Sequence, residues 1–77
     1  MVNKKMKIEI DVAEAIELFL DDCVRVMKFS IEQSKAVLVA EHYGQDWAKY
    51  EEGQYTALNK ILTSDLMKCL VNYYEVI

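Results

Sequence analysis

The residues able to do chemistry are few in this 77-residue chain, and their spacing narrows what they can do. The single histidine, His42, has no serine or cysteine near it in sequence to activate, so nucleophilic or general-base catalysis has no local framework. Cys23 and Cys69 stand far apart, without a Cys-x-x-Cys or Cys/His cluster, which excludes a zinc site and a thioredoxin-type motif. Reduced, buried thiols are the expectation. Glu14, Glu17 and Asp21 recur at i, i+3 and i+7, with Asp22 beside them. Carboxylates so spaced share one helix face, where they could hold a hard cation or a basic partner. Di-iron bundles need Glu-x-x-His in addition, and the residue three before His42 is Val39. A solvated face that complements the helix dipole is the plainer reading of these acids. The sequence therefore predicts no catalytic residue, no metal and no cofactor, and the chain reads as a non-enzyme.

What remains is a set of large amphipathic side chains. Tyr43, Trp47, Tyr50, Gln54 and Tyr55 gather within thirteen residues, together with His42 and Lys49. Aromatics of this kind are enriched at binding hot spots because they combine buried area with a hydrogen-bonding tip at low entropy cost. These five are the predicted binding residues, with Glu14, Glu17 and Asp21 as a secondary acidic face. The competing reading is that Trp47 and Tyr50 only close the end of a helical bundle.

The elements that must position these residues read as helices. Proline is absent, and the two glycines are Gly44 and Gly53. Met6-Lys7-Ile8-Glu9-Ile10 alternates apolar and polar, so residues 1–10 read as an extended arm or short strand in need of a partner. Asp11-Val12-Ala13-Glu14 has capping-box spacing and predicts a helix from about Val12. Val12, Ile16, Phe19, Leu20, Cys23, Val24, Met27 and Ile31 form its apolar stripe. Ser30-Ile31-Glu32-Gln33 repeats the capping pattern, so helix one, 12–43, bends or restarts near residue 30. A strand over 36–40 is the alternative there, and helix is preferred because no turn residue precedes it. Gly44 would end helix one as a left-handed cap. Asp46 would begin helix two, 46–75, whose apolar register runs through Thr63-Ser64-Asp65 although those residues could cap a separate segment. Gly53 then falls inside a helix, at a cost of about 1 kcal/mol against alanine that close packing with Ala57 or a kink must offset.

Two helices of roughly 45 to 48 Å predict an all-α, antiparallel hairpin within one domain. Folding about residues 45–46 would set Phe19 by Tyr73, Cys23 by Cys69 and Ile31 near Ile61. A hairpin encloses no core and leaves Leu20, Val24, Leu38 and Leu70 on its open side, so a homo-oligomeric bundle, first of all a dimer, is expected.

Hydrophobic residues are 53% and charged residues 29%, which fits a globular chain and not a disordered one. A net charge of −4 repels phosphate backbones and argues against general nucleic-acid binding. The longest apolar run, Ala36 to Ala40, is far short of the ~20 residues a membrane span requires. Lys4, Lys5 and Lys7 are followed by Ile8-Glu9-Ile10-Asp11 and not by the apolar stretch of a signal peptide, so a cytoplasmic location is expected. The string Trp47-x-x-Tyr50-x-x-Gly53-x-x-x-Ala57-Leu58 resembles those of short proteins of phages and mobile elements, a resemblance that names no family and assigns no residue roles. Together these readings predict a small helical interaction protein that binds and modulates or inhibits a macromolecular partner. The alternative is a small-ligand or nucleotide-binding protein with a pocket at the protomer interface.

Overall fold

The computed structural model describes residues 5–43, 47 and 53–77. The chain is mostly helical. In order it forms strand β1 (Met6–Ile8), helix α1 (Ile10–Arg25), helix α2 (Ile31–His42), a 3₁₀ turn (Thr56–Lys60), helix α3 (Thr63–Asn72) and strand β2 (Tyr74–Val76).

α1 follows the first part of its sequence stripe. Val12, Ile16, Phe19 and Cys23 are buried along one face, with Ala13 and Ala15 beside them, whereas Val24, Met27 and Ile31 of the predicted stripe are exposed, because α1 ends at Arg25 and the chain turns there. The helix starts two residues before the predicted position. Glu9 is the capping residue and uses no side-chain bond, while Asp11 Oδ1 accepts from the Val12 N–H at 2.8 Å. Glu9 and Asp11 turn their carboxylates to Lys60 on the 3₁₀ turn, an exposed three-charge cluster that ties the start of α1 to the far end of the chain. Lys60 holds the Asp11 carboxyl below the ordinary carboxylate range, chiefly through their hydrogen bond.

The expected single helix 12–43 is two helices, and the restart at Ser30 is real. Ser30 Oγ accepts from Gln33 N–H at 3.1 Å, the capping bond its sequence predicts, and 36–40 is helical and not a strand. The chain reverses over 26–30 because Lys28 takes a left-handed φ of 64°, which lets the Phe29 N–H reach back to the Cys23 carbonyl at 3.0 Å. α2 then folds back onto α1 and also packs against α3.

The expected continuous helix 46–75 is corrected in three places. Gly53 has a φ of +66° and opens a turn in which Thr56 N–H bonds its carbonyl at 3.2 Å, so it serves a left-handed position and not a helix interior. α3 begins afresh at Thr63, after Leu62 in extended conformation. It ends at Tyr73, whose φ of 65° and ψ of −174° turn the chain into a strand. That strand, β2, is the partner the N-terminal alternation called for: β1 and β2 pair in parallel, Met6 with Tyr74, Lys7 with Glu75 and Ile8 with Val76. The all-α prediction thus gains a short two-stranded sheet. Gly44 and Asp46, the predicted cap and turn, lie outside the described residues.

The core joins α1, Leu38 of α2, Trp47, Tyr55, Leu58, Ile61 and the inner face of α3 (Leu66, Cys69, Leu70). Leu38 and Leu70, expected on an open side, are covered within the chain. The two ends of the chain do meet, since Tyr74 Oη donates to Glu17 Oε1 at 3.3 Å. Phe19, however, packs on Trp47 and Tyr55 and not on Tyr73. Both thiols are buried, and burial pushes each above its ordinary value, which leaves them poor nucleophiles.

Candidate binding surface

Three rings from distant parts of the chain form a mutual edge-to-face knot. Phe19 of α1 lies 5.5 Å from Trp47 and 5.3 Å from Tyr55, and Trp47 lies 5.7 Å from Tyr55, with interplanar angles of 84°, 68° and 69°. Edge-to-face pairs of this kind add about 0.5–1.5 kcal/mol each beyond burial, because the positive ring edge meets the negative face. The polar tips are satisfied inside the fold. Trp47 Nε1 donates to His42 Nδ1 at 2.7 Å, and His42 Nε2 donates to the Ile61 carbonyl at 2.7 Å. The indole N–H can only donate, so His42 must present a bare Nδ1 and carry its proton on Nε2. Tyr55 Oη donates to Asp22 Oδ2 at 2.7 Å, joining the knot to the C-terminal turns of α1.

This geometry redistributes the predicted residues. Trp47 is fully buried and Tyr55 nearly so, which makes both of them core side chains as well as neighbours of any site. Tyr43 is 74% exposed and stands clear of the knot. Gln54 is half-buried, and its Oε1 is enclosed without a donor among the described residues. Tyr50 lies outside the described residues. The three acids of the secondary face all lie exposed on α1: Glu17 accepts from Tyr74, and Asp21 pairs with Arg25 at 3.5 Å. Among the described residues no group of three His, Cys, Asp or Glu could hold a metal ion. His42 has both ring nitrogens committed to Trp47 and Ile61.

Against the outer side of the knot lies a hollow of about 430 Å³ at the C-terminal end of α1. Phe19 and Tyr55 form its floor, Val26, Met27 and Phe29 its apolar rim, and Asp22 and Glu41 its charged groups. Val26 and Met27 are 71% and 59% exposed, more than an apolar rim needs for folding alone. Asp22 figures in the sequence only as a neighbour of the acidic face, and Phe29 and Glu41 not at all, because the three come from separate segments. The one available signal was Phe29, an aromatic lying outside the α1 stripe just past the helix end. No family model matches the sequence, and no curated protein or solved structure is significantly similar to it. Among the described residues no helix is long and apolar enough to cross a membrane.

Proposed function

We propose that this chain is a non-enzymatic, self-associating interaction protein that binds and modulates a macromolecular partner through the hollow at the end of α1. The observation that supports it is the combination there of exposed apolar rim residues with two carboxylates and, among the described residues, no lysine or arginine in the lining. Such a surface suits an apolar side chain flanked by Lys or Arg on another protein: the apolar group fills the hollow over Phe19 and Tyr55, and the cation meets Asp22 and Glu41. The acidic net charge of −4 steers a basic partner toward it. A second reading, a small organic cation in the same hollow, draws on the same aromatic floor and carboxylates.

A fluorescent peptide with one leucine between two arginines, followed by anisotropy, tests this. The expected result is binding that weakens about tenfold or more in Glu41→Gln and is absent for the same peptide with glutamates. Equal binding of both peptides, or indifference to Glu41→Gln, refutes the reading. Stronger binding of a free alkylammonium than of the peptide moves the assignment to the small cation.

A further inference from the structure

α2 is a helix without a single apolar face. The positions it buries are Ser34, Leu38 and His42, two of them polar, while Ile31, Ala36, Val37, Val39 and Ala40 are spread around the rest of its circumference. Apolar residues are thus left on faces of α2 other than the one it buries, interspersed with Glu32, Gln33 and Lys35. Here α1 and α3 cover only part of it. Between α2 and α3 runs an open groove of about 650 Å³, walled by Ala36, Val39 and Ala40 on one helix and Met67, Leu70 and Val71 on the other. Met67 is 50% and Val71 75% exposed. Past Lys35 the apolar surface continues to Ile31 and Tyr73, which line the adjoining hollow.

We propose that a second copy of this chain covers the groove, α2 crossing the partner's α2 antiparallel about a two-fold axis level with the midpoint between Glu32 and Lys35. The charges at the rim identify the occupant. Glu32 and Lys35 stand on the same wall of the groove; among the described residues neither takes part in an ion pair, although Lys35 Nζ lies over the Tyr73 ring, 6.0 Å from its centre. A two-fold contact is isologous, so an axis between these positions sets Glu32 against the partner's Lys35 and Lys35 against the partner's Glu32. A uniformly acidic or basic partner would gain at one of these residues and lose at the other. The sheet edges offer a second copy no competing contact. Antiparallel self-pairing about the middle of β1 would oppose Lys7 with the partner's Lys7, and about the middle of β2 Glu75 with the partner's Glu75. Ala36 and Ala40, one turn apart, leave room for close helix approach. With α2 about 18 Å and α3 about 15 Å long, the face is at the small end of specific interfaces, so the dimer forms reversibly with concentration. The proposal rests on the self-associating part of the function above and uses none of the residues of the hollow at α1.

The test is sedimentation equilibrium of the full chain from low micromolar to near-millimolar concentration, with circular dichroism to verify folding. The wild type is expected to shift from 9.0 kDa toward twice that mass as concentration rises. Val71→Glu, Lys35→Glu and Glu32→Lys alone should each weaken dimerisation about tenfold or more while helix content is unchanged. Mixing Lys35→Glu with Glu32→Lys should restore it, because each copy then presents one sign of charge to the other. A wild type that stays monomeric throughout overturns the proposal, as does a dimer indifferent to these changes or a mixture that fails to reassociate. Glu41→Gln should leave dimerisation unchanged, which keeps this outcome separate from that of the peptide titration.

Discussion

The two sides of α2 are built on opposite terms. Toward α1 it meets the aromatic knot, where apolar burial and hydrogen bonding coincide: the Trp47 and His42 ring nitrogens and the Tyr55 hydroxyl each have a partner inside the fold. Toward α3 it opens a groove whose walls are apolar apart from Glu32 and Lys35, with a valine 75% exposed. A chain this short stays folded in this way while keeping surface for others. A domain of this size buries only about 60% of its unfolded surface, so the folding energy is concentrated on one side. Specificity there comes from polar groups that tolerate one arrangement. The groove carries no such constraint and is free to be covered from outside.

The comparison breaks most visibly at Trp47. Trp47→Ala removes the largest buried side chain, opens a cavity among Phe19, Tyr55 and His42, and leaves His42 Nδ1 without its donor. A loss of about 3–5 kcal/mol is expected in chemical denaturation, enough to unfold a marginal domain. Val71→Ala across α2 should change the stability of the monomer by less than about 0.5 kcal/mol. Comparable losses at the two sites would show that the groove is as much part of the core as the knot.

Gln54 sharpens the comparison from inside the knot's own neighbourhood. Its Oε1 is buried without a hydrogen-bond donor among the described residues, and an unsatisfied buried polar group costs roughly 1–3 kcal/mol. Gln54→Met keeps the length of the side chain and removes that oxygen, so stability should rise by about 1 kcal/mol. A loss of stability would mean that the amide finds partners in solution and belongs to the satisfied network.

How far the sequence reveals this division depends on the range of the interactions. The α1 stripe and the Ser30 cap are local: residues three or four apart decide them, and both were legible. The strand at Met6–Ile8 was legible through its alternation, but its partner was not, since Tyr74-Glu75-Val76 is three residues long and continues the register of a helix. The break before α3 was hidden for the same reason. Leu58, Leu62 and Leu66 keep helical spacing across a segment where Ile61 and Leu62, both extended, interrupt the backbone. The aromatic cluster was legible as a cluster and not as a knot, because Tyr55 finds Asp22 and Trp47 finds Phe19 across separations that no spacing rule reports.

The turn between α1 and α2 joins the two sides and can be tightened without touching either. Lys28 holds a φ of 64°, a conformation that costs an L residue with a Cβ about 1–2 kcal/mol and glycine almost nothing. Lys28→Gly relieves that strain, and the greater freedom of glycine in the unfolded chain returns part of it. A net gain of up to about 1 kcal/mol is expected, with no effect on dimerisation or peptide binding. A decrease would indicate that the lysine side chain contributes more than its backbone costs.

The smallest expected effect lies at the far end of the groove side, where Tyr74 packs beside Glu17. Loss of solvent, followed by the Glu17 charge and hydrogen bond, pushes its phenol up to about 12 from an ordinary value of 10. The folded state therefore holds this proton more tightly than the unfolded chain does. The stabilisation is fully present below pH 10, declines as pH rises through the folded value, and is gone above about 12. Solvent reaches much of the ring, so screening keeps the contribution under about 1 kcal/mol. Cys23 and Cys69, whose thiols are also raised, lose stability in the same direction beginning near their ordinary value of 9, and the measurement must subtract them. The difference in unfolding free energy between wild type and Tyr74→Phe isolates the tyrosine. It should be constant up to pH 10 and then shift in favour of the phenylalanine variant as pH rises toward 12, because only the wild type has a proton to lose there. A difference that stays flat across that window would place Tyr74 in ordinary solvent, release β2 from its tie to α1, and leave the β1 pairing to hold the C-terminal strand alone.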